Sequence, residues 1–314
     1  MAQASPAITP ALRRLADQAA DRALAALHAA ADPHHPATTP LALRLAPHLA
    51  PLLTRLPATQ RTRLRAPARR PAPAPLAPQR PQLRGPHPLP TTPATTPRAL
   101  DLRLLSLRCD DDTREAGKDE MSLGLVRIVL DHGDPVTQAT EVQGPYSLGQ
   151  FRKGDLRSFS PNRTLTTVLS ASAPRTVTSV LVLADIDLGG LDGLLAALAS
   201  GVTDELILDI AQGLIVTEGA IVGATFLGTL GSIFGPVGTA GGIALGVALG
   251  AAVGYAVGKA VAGLVHLFKD DPLDPREWTI GVPAHPAPGL LAAQTLAFSG
   301  HGAAYTASLE WHVR

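Results

Sequence analysis

Apolar and polar residues alternate most regularly at the end of the chain. Over positions 305–313 every odd-numbered residue is apolar or aromatic, and every even-numbered residue is polar. This period of two predicts a β-strand with one buried face and one solvated face. The turn residues Ser299-Gly300-His301-Gly302 separate it from Leu296–Phe298, so the two segments are expected to form a β-hairpin.

Shorter strand-like runs, separated by turn residues, occupy the middle of the chain. They are Leu102–Cys109, Leu123–Leu130, Tyr146–Phe151, Thr164–Ser170 and Val177–Ala184. Together with the C-terminal hairpin they predict an antiparallel β-sandwich built from residues 100–203 and 270–314, with a core supplied mainly by Val and Leu. The fold class expected for the whole chain is therefore mainly β or α+β.

A different period governs the segment between these two parts. Glycine occurs at every fourth position from Gly242 to Gly258, five times in all, and no charged residue occurs from Gly219 to Gly258. Spacing of four places the glycines on one stripe of an α-helix, where a second backbone can approach closely. Each glycine costs about 0.8–1 kcal/mol relative to alanine inside a helix, so close packing must offset the stripe.

The upstream half of this segment repeats the pattern with small residues, and Gly235-Pro236-Val237-Gly238 separates the halves. Because Gly-Pro ends one helix and opens the next, residues 204–269 are predicted to form a helical hairpin inserted into the sandwich. We expect helix-packing roles for Gly219, Gly223, Gly228, Gly242, Gly246, Gly250, Gly254 and Gly258.

Two environments are open for this glycine-zipper hairpin. Its uncharged residues suffice for two spans of about 20 residues each, the length that crosses a bilayer. Alanine and glycine, however, contribute little to membrane insertion, so the hairpin could equally be soluble and packed on its own sheet. Membrane insertion or self-association is favoured because an exposed apolar hairpin would promote aggregation.

The first hundred residues differ from the rest of the chain in composition and in predicted structure. Residues 1–32 include an Ala/Leu-rich amphipathic helix over positions 7–31 that ends at Pro33. Residues 33–99 are rich in Pro, Ala and Arg and contain no acidic residue, which predicts a disordered linker.

Charge is divided between these regions, although the chain as a whole carries +1. Residues 1–100 contain 13 Arg and 3 Asp, giving +10, and the remaining residues give −9. A basic tract could bind anionic lipid, nucleic acid or a secretion apparatus, but nucleic acid is disfavoured because this composition is typical of an unconstrained linker. Charges interrupt the N-terminus, so no Sec signal is expected, and the protein is predicted to be cytoplasmic until delivered, or membrane-associated.

An acidic motif follows the first predicted strand. It reads Cys109-x3-Thr113-x-Glu115-x-Gly117-x-Asp119-Glu120, with Asp185-x-Asp187 and Asp270-Asp271 further along. This pattern resembles a C2-like β-sandwich domain of bacterial secreted or injected proteins, over roughly residues 101–314 without the hairpin. The resemblance implies acidic inter-strand loops that would hold Ca²⁺ through Asp119, Glu120, Asp185, Asp187, Asp270 and Asp271. The alternative is that these acids are solvated turn residues.

Catalytic signatures are weak. The chain has no P-loop, no Gly-x-Ser-x-Gly and no His-Glu-x-x-His, and its single cysteine, Cys109, has no histidine placed beside it by the sequence. We therefore expect a non-enzymatic, membrane-active bacterial protein, a toxin or injected effector whose hairpin enters or oligomerises in a bilayer. The alternative is a soluble structural or interaction module of a secretion or injection apparatus, with the hairpin packed as core.

Overall fold

A computed structural model of the chain describes part of its length. The described residues are 10–31, 98–112, 118–131, 138–169, 174–185, 191, 195, 247, 250–259 and 271–314. Most of the predicted linker, residues 33–97, and most of the predicted hairpin, residues 204–246, 248–249 and 260–269, lie outside them.

The described elements are one long helix, nine strands and a second helical stretch at residues 250–259. Their bounds are α1 Pro10–Ala31, β1 Ala99–Asp111, β2 Asp119–Asp131, β3 Gln138–Phe151, β4 Leu156–Leu169, β5 Arg175–Asp185, β6 Asp271–Pro272, β7 Arg276–Val282, β8 Gly289–Gly300 and β9 Ala303–Val313. Helix α1 lies within the predicted N-terminal helix, whereas β7 has no counterpart among the runs recognised in the sequence.

The strands form two antiparallel sheets, which confirms the predicted mainly β architecture. The first sheet has the order β4-β1-β9-β8, and the second has the order β3-β2-β5, with both β6 and β7 pairing with β5. The predicted C-terminal hairpin corresponds to β8 and β9, and Phe298 is the register partner of Tyr305. Strand β1 pairs with β9, so the two ends of the β region meet in the centre of the first sheet.

The main core lies between the two sheets. Leucines alternate along β1 and point inward, with Leu100, Leu102 and Leu104 all essentially inaccessible to solvent. Two aromatic pairs join the sheets: Trp278 and Trp311 have ring centres 6.2 Å apart, and Phe151 and Tyr305 have ring centres 6.0 Å apart. Each fully buried side chain of this size contributes about 1.5–3 kcal/mol through removal of apolar surface from water.

The second sheet is buried on its outer face as well. All residues of β5 from Thr176 to Asp185 are buried, although their side chains alternate between the two faces of the sheet. Buried small residues of α1 (Ala16, Ala19, Ala20) and of the 250–259 helix lie apart from the inner core. The fold therefore has three layers, namely the first sheet, the second sheet and a helical layer on the outer face of the second.

Candidate functional site

The outer face of the second sheet forms a platform of small and β-branched side chains. Its members at the centre are Val126 and Ile128 of β2, Thr178 and Val180 of β5, and Thr279 of β7, and all are buried. Thr178 and Thr279 are register partners whose hydroxyl oxygens lie 3.0 Å apart, so they satisfy each other by hydrogen bonding. We call these residues, with Thr176, the threonine platform.

The 250–259 helix lies with its glycine stripe against this platform. A Cβ atom at Gly250 would lie 2.6 Å from Thr176 Cγ2 and 2.8 Å from Thr178 Oγ1. A Cβ atom at Gly254 would lie 2.6 Å from Thr178 Cγ2. Real Cβ atoms do not approach neighbours so closely, so only glycine allows the helix backbone to reach the sheet at these two positions.

The contact between the glycine stripe and the sheet is less close one turn later, at Gly258. A Cβ atom at Gly258 would lie 3.8 Å from its nearest neighbour, the Glu277 Oε2 atom, which is an ordinary van der Waals distance. The contact is therefore tight at the start of the described helix and open at its end.

The sheet contributes a glycine of its own to this interface. Gly124 of β2 faces Leu195, which is completely buried, and a Cβ atom at Gly124 would overlap the Leu195 Cδ1 atom. Missing side chains on both the helix and the sheet thus bring the covering residues close to the strand backbones.

Polar contacts fasten the far end of the 250–259 helix to α1. Lys259 Nζ lies 2.8 Å from Asp17 Oδ1 and 3.4 Å from Asp21 Oδ1, and Tyr255 Oη donates a hydrogen bond of 3.1 Å to Asp17. The Arg13 guanidinium lies 5.3 Å from the centre of the Tyr255 ring. We call this cluster of Arg13, Asp17, Asp21, Tyr255 and Lys259 the latch.

The latch shifts the protonation equilibria of its members. The hydrogen bond from Lys259 holds the pKa of Asp17 below its ordinary value, against the opposing effect of partial burial. Partial burial lowers the pKa of Lys259, but the Asp17 hydrogen bond and the nearby Asp21 charge outweigh it, so the net shift is upward. Both groups are charged at neutral pH.

The predicted helix-packing glycines divide into two sets. Gly250, Gly254 and Gly258 belong to the described helix and lie over the second sheet as set out above. The other five lie outside the described residues: Gly219, Gly223, Gly228, Gly242 and Gly246.

Four of the six acidic residues proposed as Ca²⁺ ligands are described, and they lie at one end of the sandwich: Asp119, Glu120, Asp185 and Asp271. The buried Asp119 carboxylate accepts a 2.5 Å hydrogen bond from Tyr305 Oη, whereas the Glu120 carboxylate accepts a 2.7 Å hydrogen bond from Gln150 at the surface. Asp185 Oδ1 accepts a 2.7 Å hydrogen bond from the Glu120 backbone N–H, and Asp271 is the register partner of Asp185.

This geometry separates the two adjacent acids, because neighbouring side chains on a strand point to opposite faces. Within the part of the chain that the structure describes, no group of three or more His, Cys, Asp or Glu residues is placed to hold a metal ion. Asp187 and Asp270 lie outside that part. Calcium binding by the six residues stays a prediction.

Cys109, the first residue of the acidic motif, is an interior residue. It is fully buried and is the register partner of Tyr305. Burial raises the pKa of the Cys109 thiol to about 11, and burial together with the hydrogen bond to Asp119 raises the pKa of Tyr305. The thiol is therefore protonated at neutral pH, which suits a packing role better than that of a nucleophile.

Sequence reasoning missed three parts of this region: the threonine platform, the α1 side of the latch, and Tyr305 as the partner of Asp119. A signal for the platform was present in the chain. Residues 176–184 are nearly all apolar or β-branched instead of alternating, which is typical of a strand buried on both faces. The latch had no comparable signal, because Asp17 and Lys259 are 242 positions apart.

Comparisons with known proteins do not place the chain in a family, since no family model, curated protein or solved structure matches it. Among the helical residues that the structure describes, no helix has the length and hydropathy required to cross a bilayer.

Proposed function

We propose that this chain is a non-enzymatic structural or interaction module in which the glycine-rich helix is a fixed layer of the fold. One observation carries the proposal: the backbone at Gly250 and Gly254 lies directly on Thr176 and Thr178 of the second sheet. This contact is the close packing that a glycine stripe requires to offset its conformational cost. These two glycines of the stripe are thus explained without a lipid environment.

The platform supports a permanent contact. The Thr178 and Thr279 hydroxyls bond to each other, and the Cγ2 methyl groups of Thr176 and Thr178 lie against the helix at Gly250 and Gly254. Exposing the threonine platform would return Val126, Ile128 and Val180 to water at a cost of about 1.5–3 kcal/mol each. On this proposal the 250–259 helix is the second arm of a hairpin inserted between β5 and β6.

The system in which the module acts is proposed from the resemblance to C2-like domains of bacterial secreted or injected proteins. We assign it to a secretion or injection apparatus, with the basic tract of residues 1–100, net charge +10, as the segment that engages the apparatus. The β-sandwich supplies the stable body.

A second candidate, a membrane-active protein, is favoured by one observation. The latch that holds the end of the helix is polar and partly exposed, with side-chain exposures of 34% for Lys259 and 38% for Asp17. Such an ion pair contributes about 1 kcal/mol or less, so acid or an anionic surface could release this end. The sandwich would then store the helix before it enters a bilayer.

A disulfide staple separates the two candidates. A Cβ atom at Gly254 would lie 2.6 Å from Thr178 Cγ2, which is one bond from the Thr178 Cβ atom. In the double variant Thr178→Cys/Gly254→Cys the two Cβ atoms therefore lie within about 4.5 Å, which is disulfide range. The full-length chain, oxidised or reduced, is mixed with phosphatidylcholine/phosphatidylglycerol vesicles at pH 4.5 and 7.5, with and without Ca²⁺. Flotation and dye leakage are measured, and the single variant Thr178→Cys is the control.

The module proposal predicts that wild-type protein neither floats nor causes leakage, and that the staple forms readily. Flotation or leakage that is present in the reduced variant and absent in the oxidised variant would establish the membrane candidate instead. A cysteine pair that does not oxidise would contradict the docking of the helix itself.

A further inference from the structure

One level of the sandwich interior is polar. Its residues form a closed ring in which each is the register partner or direct contact of the next: Arg127, Ser179, Trp278, Trp311, Leu102 and Thr166. We call it the polar ring.

The half of the ring in the second sheet runs from β2 to β7. Arg127 is the register partner of Ser179, and Ser179 is the register partner of Trp278. The Trp278 ring then meets Trp311 of the first sheet at 6.2 Å between ring centres. All three side chains of the second sheet therefore point into the space between the sheets.

The half in the first sheet closes the circuit. Trp311 is the register partner of Leu102, and Leu102 is the register partner of Thr166. Thr166 Oγ1 accepts a 2.7 Å hydrogen bond from Arg127 Nη1, which returns to the starting residue. Residues paired across strands have Cβ atoms about 4.5–5.5 Å apart, so neighbouring members within each half of the ring are close enough for their side chains to interact.

Three polar atoms of this ring are buried and have no hydrogen-bond partner among the described residues. They are Arg127 Nε, Ser179 Oγ and Trp311 Nε1. Ser179 and Trp311 are 0% exposed and Arg127 is 6% exposed. An unsatisfied buried polar group costs about 1–3 kcal/mol, so each of the three calls for a partner.

The chemistry of the three atoms identifies that partner. Two are N–H donors and the third is a hydroxyl, which donates and accepts. The charge of Arg127 is already balanced by Glu141, whose Oε2 lies 2.6 Å from Arg127 Nη2, so the site does not require an anion. A water molecule can accept from both N–H groups and donate to the hydroxyl, and buried waters typically make about three hydrogen bonds.

We propose that internal water bridges Arg127 Nε, Ser179 Oγ and Trp311 Nε1 inside the sandwich. The site belongs to the sandwich alone and is independent of the function proposed for the helical layer. It places a hydrated, charge-balanced level within the core, and so makes the register of both sheets specific at that level.

The chain contains two tryptophans, so a ¹⁵N-labelled sample of the full-length protein shows two indole N–H signals. Trp311→Phe or Trp278→Phe, whichever folds, assigns them. Water-selective NOE and ROE spectra of the wild type are then expected to show a direct cross-peak between the Trp311 indole proton and long-lived water. Absence of that cross-peak would overturn the proposal, and this wild-type measurement does not depend on the folding of any other variant.

Ser179→Val tests the hydroxyl, because it puts methyl groups in place of the hydroxyl group. We expect the Trp311 cross-peak to be lost in Ser179→Val and retained in the matched surface variant Ser158→Ala. A cross-peak that survives Ser179→Val would remove Ser179 from the site. A Trp311 indole shift that saturates on titration with inorganic phosphate would show that the site takes an anion, and would equally overturn the proposal.

Discussion

The outer faces of the two sheets meet different surroundings. On the second sheet, Val126 and Val180 lie under the helical layer and are completely buried. On the first sheet, the outward residues Thr306, Ser308 and Glu310 of β9 are only half-buried, and no described helix contributes to that face. One sheet therefore has two dry faces and the other has one.

The burial patterns of the strands at the centres of the two sheets show this difference. Strand β9 alternates strictly between buried and half-buried residues, whereas β5 is buried at ten consecutive positions. A strand with one wet face can use charged cross-strand pairs such as Arg103–Glu310, whose closest atoms are 3.6 Å apart. A strand with two dry faces must use apolar or mutually bonded side chains.

The largest effect is expected from the same charge placed on both outer faces. Val180→Asp puts an unpaired carboxylate under the helical layer and should destabilise the protein by about 4 kcal/mol or more. The matched variant Ser308→Asp, on the half-exposed face of β9, should change the free energy of unfolding by about 1 kcal/mol or less.

Urea unfolding measures both variants, and labelling of Cys109 provides a second readout. Because the Cys109 pKa is raised to about 11, the native thiol should react slowly at pH 8 and become reactive when the sandwich opens. Similar losses of stability in the two variants would mean that the outer faces are equivalent.

Smaller changes in stability are expected along the glycine stripe, and they should differ in sign between two of its glycines. Gly254→Ala forces a methyl group to within 2.6 Å of Thr178 Cγ2 and should destabilise by about 1–2 kcal/mol net of improved helix propensity. Gly258→Ala has room and should stabilise by up to about 1 kcal/mol. Thermal unfolding distinguishes them, and equal stabilisation of both variants would contradict the docked helix.

The latch should contribute about 1 kcal/mol or less, because its ion pair is partly exposed. The pKa of Asp17 is lowered, so its contribution is complete above the ordinary value of 3.8 and is lost as the pH falls through the lowered value. The pKa of Lys259 is raised, so its contribution is complete below 10.5 and is lost as the pH rises through the raised value.

Asp17→Asn should therefore speed hydrogen exchange of the 250–259 helix at pH 7. Asp21→Asn is the matched control, because Asp21 lies 3.4 Å from Lys259 against 2.8 Å for Asp17 and should have a smaller effect. Exchange that is indifferent to both changes would show that the helix is held by the threonine platform alone.

The smallest effect is expected for an ion pair on the open face. Glu310→Gln removes the charge opposite Arg103 and should change the free energy of unfolding by about 0.5 kcal/mol or less, and less still in 0.5 M salt. A loss of more than about 1 kcal/mol, measured by urea unfolding at low and high salt, would show that this face has a covering partner.

Much of the β architecture could be predicted from local patterns, because a strand's period of two depends only on which of its faces is buried. The alternation around Trp311 and Tyr305 correctly indicated a C-terminal strand in a hairpin. Strand β7 was missed, because Arg276 and Glu277 at its start and Gly281 within it weaken the apolar run of a short strand.

The candidate site was harder to predict because its contacts join distant segments. The glycine spacing indicated close packing on some surface, but it carried no information about which one. The Asp119–Glu120 dipeptide suggested a single acidic site, yet Tyr305 binds Asp119 inside the sandwich while Gln150 binds Glu120 at the surface.

By itself, the sequence determined that this chain contains an antiparallel β domain and a segment certain to pack closely through glycine, since both follow from the periodicity of side chains along a backbone. Only the tertiary structure decided that the surface opposite Gly250 and Gly254 is the threonine platform, that Asp17 meets Lys259, and that an arginine, a serine and a tryptophan share one level of the core. Those outcomes depend on strand order and register, which bring together residues that no local pattern connects.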